Sequence, residues 1–71
     1  MNTYKMTVTY DNEREPRWSA QYADALIAFR EYFLVKDWGF ANEFSTTNLT
    51  MPDGKMYTKI HYREGRKVVE R

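Results

Sequence analysis

The sequence contains no cysteine, one histidine, two prolines and three glycines in 71 residues. Without cysteine, neither a disulfide nor a thiolate metal site can stabilise a chain of this size. No apolar run approaches the roughly 20 residues of a membrane-spanning helix, because Arg30 and Glu31 interrupt the longest one. The N-terminus also lacks the basic and apolar regions of a signal peptide. We therefore expect a cytoplasmic protein that does not enter membranes.

Reactive side chains are equally scarce. His61 is the single histidine, with Lys59 and Arg63 two positions away on either side, and the serines are Ser19 and Ser45. The sequence has no glycine-rich phosphate loop and no pair of histidines at metal-binding spacing. Because catalysis needs convergent reactive groups, we predict that the protein is not an enzyme and uses no cofactor or metal ion.

Aromatic residues are abundant, at 17% of the chain, with four Phe, six Tyr and two Trp. Each buries about 150 to 250 Å² of surface, which compensates for a modest number of aliphatic residues. The length fits one domain near the lower limit for folding alone. We predict a single small domain over residues 1–71 with a core built on aromatic side chains.

The N-terminal part predicts a β-hairpin. Residues 3–10 alternate strictly, with apolar side chains on one face at Tyr4, Met6, Val8 and Tyr10. A polar turn over residues 11–16 and a short returning strand over residues 17–20 follow. Pro16 favours an edge position for that second strand.

A helical period follows and predicts a helix from Ser19 or Gln21 to about Asp37. Its expected core stripe, at i, i+4, i+7 and i+11, is Tyr22, Leu26, Phe29 and Phe33. The Ser19 hydroxyl is a suitable N-cap. Gly39 can close the helix in the left-handed conformation, and Phe40 follows where an apolar contact often lies.

The remaining chain predicts β-structure over residues 43–51 and 55–63, joined by a turn in which Pro52 and Gly54 suit a hairpin with a bulge. A three-residue loop sets the register, with Leu49 opposite Tyr57, Thr46 opposite Ile60 and Phe44 opposite Tyr62. A second turn at residues 64–65 allows a last strand over residues 66–70.

These elements predict an α+β fold, a single helix packed on an antiparallel sheet of four to five strands in the order ββαβββ, or βαβββ if residues 17–20 do not form a strand. One helix covers one sheet face, so the other face is solvated or used for binding. The threonine-rich strands do not decide which face the helix covers.

Charge is distributed unevenly along the chain. Residues 1–54 contain five basic and eight acidic residues, whereas residues 55–71 contain six basic and two acidic residues. The basic residues of this C-terminal hairpin, interleaved with Tyr57, His61 and Tyr62, are Lys55, Lys59, Arg63, Arg66, Lys67 and Arg71. Basic and aromatic side chains together are typical of nucleic-acid binding. They also suit an acidic protein partner, and basic residues on edge strands prevent aggregation.

Two surfaces are candidates for binding a partner. On the sheet face expected to be open, the predicted partner-binding residues are Tyr57, Lys59, His61 and Arg63. On the helix, Ile27 and Leu34 form an apolar strip beside the core stripe, and Trp38 adds bulk beyond the helix end. This second surface is an alternative binding site or a dimer interface, unless a strongly curved sheet covers it.

Residues 38–40 (WGF), 48–59 (NLTMPDGKMYTK) and 62–67 (YREGRK) resemble the C-terminal hairpin of small proteins encoded by bacteriophages, particularly phages of actinobacteria. The resemblance covers about half of the chain and consists of hairpin chemistry, not of a catalytic signature. It implies an accessory protein that binds a host protein. In size and one-helix build the chain is also similar to anti-restriction and anti-CRISPR inhibitors.

The sequence therefore predicts a small non-enzymatic phage-type accessory protein that binds a host or phage protein and modulates or inhibits it stoichiometrically. The alternative is a nucleic-acid-binding module that uses the basic C-terminal hairpin. A homodimer is compatible with either function.

Overall fold

The computed structural model describes residues 3–37, 39–62 and 69–70 of the chain. These residues form one helix, α1 (Ala25–Leu34), and the strands β1 (Tyr4–Tyr10), β2 (Trp18–Tyr22), β3 (Phe44–Thr50), β4 (Met56–Tyr62) and β5 (Val69–Glu70). The sheet is antiparallel, in the order β2-β1-β3-β4-β5. The predicted α+β class, with one helix on an antiparallel sheet of four strands, is confirmed. The turn at residues 64–65 and most of the strand predicted over residues 66–70 lie outside the described residues.

The N-terminal hairpin forms as predicted. Met6, Val8 and Tyr10 of β1 are buried, whereas the residues between them are not. β2 pairs with β1 alone and is an edge strand, as Pro16 indicated, although it extends to Tyr22. β1 therefore lies inside the sheet and supplies the largest apolar contribution to one of its faces.

The helix is shorter than predicted at both ends. Ser19 is not its N-cap, because it lies in β2 opposite Thr7. Instead the Asp24 side chain accepts a hydrogen bond from the Ile27 main-chain N–H at 3.1 Å. The helix ends at Leu34 because the next residue is extended. Pairing with β1 satisfies the main-chain groups of residues 18–22 that face it, and this tertiary effect outweighs their helical periodicity.

The predicted core stripe is confirmed at two of its four positions, because Tyr22, which lies in β2, and Phe29 pack against the buried core. The buried residues of α1 are Ala28 and Tyr32, and Phe29 is partly buried beside them. Leu26 and Phe33, both assigned to the stripe, are exposed. Since every residue of α1 except Arg30 and Glu31 is apolar or aromatic, periodicity does not select the buried face.

The β3–β4 hairpin has the predicted register, with Leu49 opposite Tyr57, Thr46 opposite Ile60 and Phe44 opposite Tyr62. The Met51 N–H donates to the Lys55 carbonyl at 2.8 Å, and Gly54 has a φ of 92°, which closes a three-residue loop. Opposite residues share a face of the sheet. This register therefore places Tyr57, Lys59 and His61 of β4 on the same face as the buried Leu49.

The connection between α1 and β3 packs against the sheet at the end of β1 and the start of β2. Asp37 accepts hydrogen bonds from the Tyr10 hydroxyl at 2.7 Å and from the Trp18 indole N–H at 2.6 Å. Gly39 is not in the left-handed conformation that was predicted, since Gly54 is the described glycine with a positive φ. A Cβ at Gly39 would lie 2.5 Å from the Tyr10 hydroxyl oxygen. Glycine is needed here for close packing, not for ending the helix.

Candidate protein-binding surface

The described sheet residues predicted to bind a partner, Tyr57, Lys59 and His61, do not lie on the open face. Lys59 and His61 are on the face that α1 and the following connection cover, where their exposed fractions are 3% and 4%. The register explains this burial, because Lys59 lies opposite the buried Thr47 and His61 opposite the buried Ser45. The predicted exposed position of these two residues is therefore wrong. Arg63 lies outside the described residues.

Lys59 supports the helix. Its ammonium group donates a hydrogen bond to the main-chain carbonyl of Tyr32 and lies 4.4 Å from the centroid of the Tyr32 ring. It also lies 5.4 Å from the centroid of the Phe33 ring. The Tyr32 carbonyl is among the last four of α1, at the negative end of the helix dipole. A cation from β4 therefore stabilises a helix whose own last turn contains no basic residue.

Ser45 and His61 combine a hydroxyl and an imidazole on neighbouring strands, which are the residue types of a nucleophile and its base. The Ser45 hydroxyl, however, makes no hydrogen bond with any described residue and is fully buried. A substrate cannot reach it in this conformation. The pair gives no support to a catalytic site, and its burial indicates a structural position.

The outer side of the helix carries a cluster of exposed apolar residues. The exposed fractions are 43% for Ile27 and 67% for Leu34, the two helix residues that the sequence analysis selected, and 83% for Leu26 and 59% for Phe33. At about 100° per residue, these four and Arg30 share an arc of about 120° opposite the buried side of α1. We call Leu26, Ile27, Arg30, Phe33 and Leu34 the outer helix face.

Tyr57 extends this apolar surface onto β4. It is 44% exposed, and its ring packs edge-to-face against Phe29, with centroids 5.6 Å apart. Tyr57 and Phe33 also both contact the Tyr32 ring, at centroid distances of 6.5 and 5.7 Å. Tyr57 thus lies beside the helix, on the flank where Phe29, Tyr32 and Phe33 are neighbours, whereas Ile27 and Leu34 lie on the other flank of the outer helix face.

Sequence reasoning missed Leu26 and Phe33 because it placed them in the core. The available signal was the apolar composition of the whole helix, since a helix that is apolar on all sides needs cover on all sides. Single exposed apolar residues are normal on a protein surface, whereas a contiguous group marks an interaction site. Trp38, the third helix-side residue predicted to bind a partner, lies outside the described residues.

The opposite sheet face has little binding chemistry. Threonine is its most frequent strand residue, and Lys5 is its one charged residue among the described strands. Its apolar members on β3 and β4 are Phe44, Met56, Ile60 and Tyr62, and the rings of Phe44 and Tyr62 lie 5.8 Å apart. Thr58 donates a hydrogen bond to the Asn48 side-chain oxygen at 2.7 Å. Such a surface is compatible with solvent.

The structure describes only part of the basic C-terminal hairpin. Lys55 is exposed in the hairpin loop, 4.0 Å from the Asp53 carboxylate, and Lys59 and His61 are buried. These two residues are thus not available to contact phosphates or bases in this conformation. The other basic members of the hairpin lie beyond Tyr62, outside the described part.

Within the described part of the chain, no three His, Cys, Asp or Glu side chains are close enough to hold a metal ion. The helix of this part is too short to cross a membrane. Comparisons with models of protein families, with curated proteins and with solved structures find no match for this chain.

Proposed function

We propose that the chain is a small non-enzymatic binding protein of the bacteriophage accessory type, which covers a site on a host or phage protein and so modulates or inhibits it. It acts in the host cytoplasm and binds its partner stoichiometrically. The exposure of Leu26, Phe33 and Leu34 on one side of a short helix carries this proposal. The hairpin resemblance supports the phage context.

The outer helix face has the spacing of a helix that docks into a groove. Docking helices present anchors at i, i+3, i+4 and i+7, and Ile27, Arg30 and Leu34 follow this spacing. Leu26 and Phe33 form a parallel row, seven residues apart. Burying one such apolar side chain contributes about 1.5–3 kcal/mol, so these exposed residues supply much of the binding free energy.

Affinity capture from a nuclease-treated host lysate tests the proposal. The baits are the tagged wild-type chain, the double variant Leu26→Ser/Leu34→Ser and the control Phe40→Ser. Phe40 is also highly exposed but lies in the connection after α1. We expect wild type and Phe40→Ser to enrich the same protein and the double variant to lose it. Equal enrichment by all three baits would contradict binding through this face.

A separate variant tests whether Tyr57, which lies on β4 beside the helix, also contacts the partner. Tyr57→Ala removes an aromatic ring that is nearly half exposed, and loss of a central interface aromatic typically weakens binding by about 2 kcal/mol or more. We expect Tyr57→Ala to weaken capture of the same protein. Undiminished capture would restrict the binding surface to the helix.

Nucleic-acid binding is the alternative outcome of this capture. It would use the basic C-terminal hairpin. In a parallel capture from untreated lysate, enrichment of nucleic-acid-associated proteins that disappear when nuclease is added would favour it. Binding of DNA or RNA that weakens steeply as salt increases would then identify the phosphate contacts.

A further inference from the structure

The outer helix face has a charged residue at its centre. On the helical arc, Arg30 lies midway between the Leu26–Phe33 row and the Ile27–Leu34 row. Its side chain is 67% exposed. A partner that covers both apolar rows therefore also covers the stem of Arg30 and comes within reach of its guanidinium group.

The Arg30 guanidinium makes no hydrogen bond with the described residues, so its N–H groups can bind a partner. Its Nε lies 3.8 Å from the Glu31 carboxylate, which is longer than a hydrogen bond. The two terminal amino groups, which form the fork that binds carboxylates, make no hydrogen bond with the described residues. Removing an arginine from water is costly unless it is paired and hydrogen-bonded in the complex.

We propose that the protein surface which binds the outer helix face presents a carboxylate to Arg30 at the centre of an otherwise apolar contact. This inference rests on the proposed function and adds the chemistry of the partner. A carboxylate can accept two parallel hydrogen bonds from the guanidinium, so it satisfies the charge and fixes the orientation of the helix. Around this pair, the two apolar rows exclude water.

A second copy of the chain fits this face less well. In a two-fold antiparallel pairing of α1, residues near the middle of the helix meet their own counterparts, and Arg30 is near the middle. Two guanidinium groups would then face each other without water, which is repulsive. On a membrane surface Arg30 would lie between the two apolar rows, and its side chain would have to bend back from the hydrocarbon to the headgroups.

Selection from a display library of random linear peptides tests the proposal. The target is the full wild-type chain, and binders that also recognise Leu26→Ser/Leu34→Ser are removed, so that only sequences dependent on the outer helix face remain. We expect these sequences to share an Asp or Glu flanked by apolar residues. A synthetic peptide of the shared sequence then serves as the probe for binding measurements.

Arg30→Ala should weaken this peptide at least about tenfold, as should amidation of its acidic side chain. The two changes together should cost no more than either alone, because they remove one interaction. Arg14→Ala, which removes an exposed arginine from the β1–β2 turn, should leave the affinity within about twofold. Circular dichroism and an unchanged urea midpoint would confirm that each variant is folded.

Other outcomes overturn the proposal. Enriched peptides without an acidic residue, bound equally well by Arg30→Ala, would refute the carboxylate while leaving the proposed function intact. A selection that yields no face-dependent sequence would also contradict this inference, and the lysate capture then decides separately on the proposed function. A dimer in solution that Leu26→Ser/Leu34→Ser dissociates would assign the face to a second copy.

Discussion

The two sides of α1 have similar composition and opposite environments. Ala28 and Tyr32 are buried against the sheet, whereas Leu26 and Phe33 of the same helix are exposed. The position of the sheet, not the hydrophobicity of the side chain, decides which residues stabilise the fold. Stability and partner binding are therefore assigned to opposite sides of one helix and can be separated by mutation.

The two cations associated with the helix show the same contrast. Lys59 is buried, and its ammonium group donates to the Tyr32 carbonyl within the protein. Arg30 is exposed, and its one ion pair with the described residues is a long contact with Glu31. Lys59 stabilises the fold by pairing with a helix carbonyl. Arg30 lies where a partner that covers the helix would have to supply its hydrogen-bond acceptor.

The largest expected effect comes from the buried side. Tyr32→Ala should lower the free energy of unfolding by about 3–5 kcal/mol, because it leaves a cavity between helix and sheet. A loss of this size is comparable to the whole stability of a chain of this length. Phe33→Ala, at the neighbouring exposed position, should cost less than about 1.5 kcal/mol, mainly from its edge contact with Tyr32. If urea titrations gave the same loss of unfolding free energy for both variants, the assignment of stability to the buried side of α1 would be wrong.

A smaller loss is expected when the buried cation is removed. Lys59→Met keeps the apolar stem but removes the donor to the helix carbonyl, so unfolding should become easier by about 1–3 kcal/mol. Lys55→Met, in the exposed hairpin loop, is the matched control and should change stability by less than about 0.5 kcal/mol. If Lys59→Met were as stable as wild type, the capping role of Lys59 would be wrong.

Asp37→Asn tests the polar contacts of the connection after α1. Burial raises the pKa of the Asp37 carboxyl, but hydrogen bonds from Trp18 and Tyr10 outweigh it and hold this pKa below the usual 3.8. Because the folded state binds the proton less tightly, the carboxylate stabilises the fold above pH 3.8, and this contribution is lost as the pH falls towards the lowered pKa. Asp37→Asn should cost about 1 kcal/mol at neutral pH and flatten the loss of stability in acid. An acid dependence identical to wild type would exclude this role.

The smallest effect on stability is expected on the exposed side. Leu26→Ser should change the free energy of unfolding by less than about 0.5 kcal/mol, because the side chain has little contact with the rest of the chain. The same variant should weaken partner binding. A large loss of stability in chemical denaturation would show that Leu26 supports the fold after all.

Local turn chemistry made the hairpins predictable. The alternation of β1 and the loop at Pro52 and Gly54 act over a few residues, and they gave the correct strand positions and the β3–β4 register. The helix begins later than predicted because residues 18–22 pair with β1. This tertiary contact is not visible in the local periodicity of the sequence.

The candidate site was only partly predictable for a related reason. Ile27, Leu34 and Tyr57 were identified as exposed from pattern, but the exposure of Leu26 and Phe33 beside the two helix residues depends on how the helix rests on the sheet. Lys59 has the pattern of a surface cation, and its burial follows from a helix carbonyl that is distant in sequence. Side-chain alternation defines the two faces of a strand, whereas tertiary packing decides which one is covered.

The most direct test is a calorimetric titration of the captured partner into wild type and into Leu26→Ser/Leu34→Ser, with urea unfolding of both chains measured in parallel. If the outer helix face serves binding and not stability, the double variant keeps the wild-type urea midpoint and gives no detectable heat of binding. A double variant that is folded and binds with wild-type affinity would contradict the assignment of this face to a partner.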